Sequence, residues 1–140
     1  MLFLLFALAL TPQNLPMQVL AQGPLSDIGT ARQVVVRTED EWQALWRQHG
    51  VTKLPPTVDF TQNLVAGVFL GSRPSSGYKV EISRAYADGQ DLVIEYKVEK
   101  PAPGAMTAPI ITSPYILVLL PAHPGPVRFV DVSAAHEHRH

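Results

Sequence analysis

The stretch from Asn63 to Leu70 is nearly all apolar, stops in a cluster of turn formers, and is followed from Tyr78 by alternating apolar and polar residues. A continuous apolar run of that length fits a strand covered on both faces, and the alternation fits one with a buried and a solvated face. The first therefore belongs at the centre of a sheet. Between them lies Gly71-Ser-Arg-Pro-Ser-Ser-Gly77. Pro74 fixes its own φ at about −65°, and Gly77 permits a corner with φ > 0, so this connection holds a defined path. Such a loop suits recognition of a protein through Arg73, Pro74, Ser75, Ser76, Gly77 and Tyr78, with Arg73 and Tyr78 as anchors and Pro74 and Gly77 as supports. The plainer alternative is a tight connection between two core strands, with Tyr78 packed inward.

A chain of 140 residues has room for one domain. Its 13 prolines and 9 glycines favour many turns over long helices. Eleven basic residues against 12 acidic ones, without a dense basic cluster, leave no electrostatic footprint for nucleic acid or an anionic membrane. The absence of cysteine excludes a disulfide framework, a thiolate nucleophile and a thioether-linked lipid anchor.

Leu2 to Leu10 is unbroken apolar sequence, and Val19-Leu20-Ala21 ends in a small residue suited to signal peptidase. This reads as a signal peptide over residues 1–21, a domain over 22–132 and a disordered tail over 133–140. The chain is then secreted or held in the periplasm or cell envelope, without membrane insertion once the signal is removed. A run of nine residues is short of the about 20 that a membrane-spanning helix needs.

Gln33 to Arg37, with three consecutive valines, favours a first strand. Thr38-Glu-Asp-Glu41 has the form of a capping box, and Trp42, Leu45 and Trp46 follow on one helical face. The helix is expected to run to about Gln48, with Gly50 just past its end. Tyr78 to Tyr86 and Leu92 to Val98 form a hairpin around Asp88-Gly89-Gln90. Pairing Tyr86 with Leu92, Ile82 with Tyr96 and Val80 with Val98 matches the apolar faces. The same register sets Glu81 opposite Lys97 and Lys79 opposite Glu99. Strands at Tyr115 to Leu120 and Val127 to Val132 complete an α+β, β-rich fold: a compact antiparallel or mixed sheet of five or six strands, with one helix after the first strand.

Catalytic signatures are missing: the sequence holds no Gly-x-Ser-x-Gly elbow, phosphate-cradling glycine loop or His-Glu-x-x-His. His49 and His123 are the candidate bases, and Asp59 reads as a turn former beside Thr61. His136, His138 and His140 alternate in the tail and favour adventitious metal affinity over a built site. No catalytic residue, cofactor or metal site is assigned.

Trp42 to Trp46, Val58-Asp-Phe60, Gly71 to Ile82, Pro101-Ala-Pro-Gly104 and Ser113-Pro-Tyr115 resemble the C-terminal domain of PrcB-type protease-complex subunits, over Val34 to Leu120. The Gly-x-Arg-Pro-Thr-x-Gly-Tyr pattern of that family is met here with Ser75 and Ser76 in its middle. The resemblance implies a secreted or envelope module, not an enzyme, that associates with a subtilisin-like protease as subunit or inhibitor-like partner. The loop is also similar to the Thr-Thr-Gly-Tyr loop of chagasin-like inhibitors of cysteine proteases. The competing expectation is a structural domain of the envelope whose loop is only a connector.

Overall fold

The computed structural model describes residues 13–133, so the apolar run Leu2–Leu10 and the histidines of the tail lie outside the described residues. Its elements are β1 (Gln18–Gly23), β2 (Arg32–Val36), α1 (Glu39–His49), β3 (Asn63–Phe69), β4 (Lys79–Asp88), β5 (Asp91–Glu99), β6 (Tyr115–Pro121) and β7 (Val127–Asp131). The expected single sheet of five or six strands is corrected to two sheets: four strands in the order β1-β6-β3-β2 and three in the order β4-β5-β7. All pairs are antiparallel except β5–β7.

The composition of β3 and β6 explains the second layer. Leu64, Ala66, Val68, Leu70, Ile116, Val118 and Leu120 face a core shared with Val80, Ile82, Ala85, Leu92 and Ile94 of the smaller sheet. Val65, Phe69 and Leu117 face the opposite way, against Val36, Trp42, Leu45 and Trp46. Two interior strands that are apolar on both faces need a cover on each, and the helix can supply only one. The hairpin supplies the other, giving a helix, a sheet and a second sheet in three layers.

Helix α1 starts and stops as its sequence dictates. The Thr38 hydroxyl accepts from the Glu41 amide at 3.2 Å, and the Glu41 carboxylate accepts from the Arg37 amide at 2.9 Å. Gly50, at φ 82°, donates its amide to Trp46 and Arg47 carbonyls and ends the helix. Both tryptophans are core. Their indole N–H groups donate to the Pro56 carbonyl at 2.9 Å and the Lys53 carbonyl at 2.8 Å, which ties the connection after the helix down onto it.

The hairpin register holds for Lys79–Glu99, Val80–Val98, Glu81–Lys97 and Ile82–Tyr96 and then shifts. Ser83 is an extra residue in β4, so Arg84 pairs with Glu95 and Tyr86 with Val93, not Leu92. The three-residue connection thereby becomes Gly89-Gln90 alone between Asp88 and Asp91. The bulge turns Ala85 inward, fully buried, and brings Arg84 against Glu95 at 2.8 and 3.2 Å with its guanidinium 4.4 Å from the Tyr86 ring. Arg128 of β7 reaches Asp88 at 3.0 Å and Asp91 at 3.2 Å, offsetting the repulsion of two carboxylates across the turn. The expected Lys79–Glu99 and Glu81–Lys97 partners are opposite in register but are not among the ion pairs of the described residues. Instead the Glu81 and Glu99 carboxyls interact, which raises the proton affinity of Glu99 and lowers that of Glu81.

Strand β1 stands where the sequence reading ended a signal peptide. Gln18–Gly23 pairs with β6, Ala21 packs on the helix side of the core, and the Leu15 amide donates to the Ala85 carbonyl at 2.8 Å. The boundary expected between Ala21 and Gln22 lies within this strand.

Candidate protein-binding site

The Gly71–Tyr78 loop is held from two sides. At its start, Gly71 sits at φ 77° where an added Cβ would lie 2.7 Å from the Ala31 nitrogen, and the Ser72 amide donates to the Gly29 carbonyl at 3.1 Å. Along its middle it is laced to the chain that runs from Pro101 to Ser113. Arg73 and Thr112 exchange backbone hydrogen bonds at 2.7 and 2.9 Å, and the Thr112 hydroxyl donates to the Ser75 carbonyl at 3.0 Å. The Ser76 amide donates to the Ala108 carbonyl at 3.0 Å, while the Ala108 amide donates to the Ser76 hydroxyl at 2.8 Å. Gly77, at φ 98°, closes the brace: a Cβ there would lie 2.8 Å from the Pro101 ring. A loop satisfied this way keeps one shape without a ligand.

The individual residues are placed unequally. Pro74 and Gly77 are exposed, whereas Arg73, Ser75, Ser76 and Tyr78 are half-buried. The Arg73 guanidinium lies 5.8 Å from the Tyr78 ring, so the two expected anchors touch each other. Tyr78, with Gly77, Lys79, Gln22, Glu99 and Tyr115, lines a mostly apolar cleft of about 470 Å3 beside β1. Across this cleft the Gln22 side chain donates to the Val80 carbonyl at 3.0 Å, and burial raises the proton affinity of the Tyr115 phenolate.

The segment from Pro101 to Pro114, laced to the loop, carries exposed apolar side chains. Met106 is 98% exposed, Ile111 70% and Ile110 54%. From Pro101 to Tyr115 no residue carries a charge, and that uncharged run with an Ile-Ile pair was the available signal. A scattered surface apolar residue needs no explanation; these three share one uncharged segment that is hydrogen-bonded to the loop.

The groups weighed for catalysis have structural tasks. Asp59 accepts from the Thr61 amide at 3.0 Å and hydroxyl at 2.6 Å, bonds that hold its carboxyl below the usual range and shape the turn before β3. His123 bonds the Gln90 carbonyl at 2.8 Å. His49 Nδ1 lies 2.7 Å from the Ser26 hydroxyl, the atoms of a nucleophile–base pair. The ring is, however, 1% exposed and enclosed by Trp46, Phe69 and Tyr115, and the Ser26 oxygen accepts from the Ile28 amide. The imidazole half of that pair is thus enclosed in the core, while Ser26 is half-buried. Among the described residues no three metal-ligating side chains come together, and no helix is long and apolar enough to cross a membrane.

No curated protein and no solved structure matches the chain. The model of one family, described as PrcB C-terminal, matches residues 64–121, a span that runs from β3 through the braced loop, the hairpin and the uncharged segment to the end of β6. By that match, the part of the chain that builds the candidate face is similar to the PrcB C-terminal family.

Proposed function

We propose that this chain is a non-catalytic protein-binding module of the cell envelope or secreted space, and that it associates with a subtilisin-like protease. The contact face joins the Gly71–Tyr78 loop to the Pro101–Ile111 segment. The observation that carries this reading is the exposure of Met106, Ile110 and Ile111 on chain that is tied by hydrogen bonds to the loop. An apolar centre on a pre-shaped support is what a stable protein contact uses, because little ordering is lost on docking. The PrcB C-terminal match supports the protease as partner class, and the apolar run Leu2–Leu10 supports export.

The competing role, a structural domain with the loop as connector, draws on the half-buried Tyr78 and the brace at Gly77. The two readings separate by experiment. The chain is immobilised alongside a Met106→Asp, Ile111→Asp version with an unchanged melting curve, and the envelope and secreted proteins of the source organism are passed over both. A protease retained by the first and lost by the second is expected; identical retention on both refutes the face.

A further inference from the structure

We propose that a second cleft, between β2 and the β5–β7 side of the smaller sheet, binds a carboxylate carried on an apolar body, with Arg73 and Arg32 as its cationic grip. The cleft measures about 370 Å3 and is lined by Arg32, Gln33, Phe69, Arg73, Tyr96 and Asp131, among others. That volume suits a small ligand or the last residue of a peptide. The inference does not depend on the identity of any protein partner.

The charged groups of the cleft are mostly donors, and a buried one among them lacks an acceptor. Arg73 Nε is buried with no hydrogen-bond partner, and neither Arg73 nor Arg32 belongs to an ion pair of the described residues. Buried polar atoms of native proteins are almost always partnered, so an orphaned guanidinium N–H is relieved by an incoming oxygen. Arg32 is held in place by the Gln48 side-chain oxygen and lies 6.0 Å from the Phe69 ring. The Tyr96 hydroxyl accepts from Gln33 Nε2 at 3.0 Å, which leaves its own proton to donate. Asp131, the one carboxylate of the lining, already accepts from the Ser133 amide at 2.9 Å and from the Ser133 hydroxyl.

The lining thus offers two guanidinium forks and a phenol against one occupied acceptor. A guanidinium fork matches the planar, two-oxygen face of a carboxylate. Asp131 selects against a doubly charged phosphate, which it repels more strongly than a single negative charge. Val68, Leu70 and Val98 complete the walls with apolar surface, so the body behind the carboxylate is apolar.

The test is a titration of the 15N-labelled full chain, followed by NMR, with N-acetyl-leucine, N-acetyl-leucinamide, the tripeptide Ala-Ala-Leu and inorganic phosphate. The expected result is a saturable shift of the Arg73 Nε–H signal and of cleft residues with the two acids, and none with the amide. Tighter binding of the tripeptide assigns a chain end as ligand, and equal binding assigns a small acid. Arg73→Gln is expected to weaken acid binding about tenfold or more. If that variant does not fold, Arg73→Lys, which keeps the charge without the fork, and Arg32→Gln at an exposed position carry the comparison. The proposal is overturned if the acids produce no saturable shift, if amide or phosphate binds as tightly, or if the folded arginine variants bind unchanged.

Discussion

Gly77→Ala tests whether the Gly71–Tyr78 loop and the Pro101 segment are one rigid unit. Gly77 at φ 98° is comparable with two other glycines of positive φ, Gly104 at 80° and Gly89 at 62°. All three carry the backbone cost of an L-residue in left-handed geometry, about 1–2 kcal/mol. Of these three, Gly77 alone also has a neighbour in the way: a Cβ would stand 2.8 Å from Pro101 Cγ and 3.1 Å from its Cβ, whereas nothing lies within 4 Å at Gly104 or Gly89. A proline ring cannot swing aside, so the strain of overpacking, about 1–3 kcal/mol, adds at Gly77 alone. Urea unfolding is expected to place Gly104→Ala and Gly89→Ala together at about 1 kcal/mol of destabilisation. Gly77→Ala is expected at about 2–4 kcal/mol, a large part of the stability of a small domain. Pro101→Ala in the same chain should recover about 1 kcal/mol of the excess, which a double-mutant cycle reads directly. Equal losses at Gly77 and Gly104, within about 0.5 kcal/mol, refute the brace.

Two further outcomes follow from the core and the N-terminus. Burial lowers the proton affinity of His49, with Asp27 partly opposing it, so the unfolded chain binds a proton at a higher pH than the folded one. Stability from this group is present above its unfolded pKa of about 6.5 and is lost as pH falls below it; in urea titrations from pH 8 to pH 5, His49→Gln should flatten this slope, and an unchanged slope contradicts the assignment. Removal of residues through Ala21 takes away most of β1, exposes the edge of β6 and should give aggregated chain, whereas sequencing of the natural N-terminus should find processing before Leu15. A stable, monomeric truncated chain contradicts that reading of β1.

What the sequence made legible was local. Thr38, Glu41 and Gly50 announce a helix because caps act through neighbours in the chain, and the hairpin faces follow from alternation between Val80 and Val98. The bulge at Ser83 was not legible, because Ala85 inside and Arg84 outside are distinguished only by what lies across the hairpin. The second sheet was implicit in the two-faced burial of β3 and β6, but apolar composition does not say whether a helix or a sheet provides the cover. For the candidate site, Gly77 and Pro74 marked a bent loop before Tyr78, and Gly77 takes the positive φ expected of it. The segment carrying Met106 was missed because its tether, the Ser76–Ala108 pair, joins residues 32 apart in sequence.

On the proposed function, the braced loop and the Met106 segment form one partner-facing surface. The most direct measurement places a photocrosslinking amino acid at Met106, and separately at Leu54, an exposed apolar residue of the connection after the helix, in the chain produced by the source organism. A crosslink from position 106 to a subtilisin-like protease, absent from position 54, is the expected result. Crosslinks from both positions to the same mixture of proteins, or from neither to a protease, contradict the account.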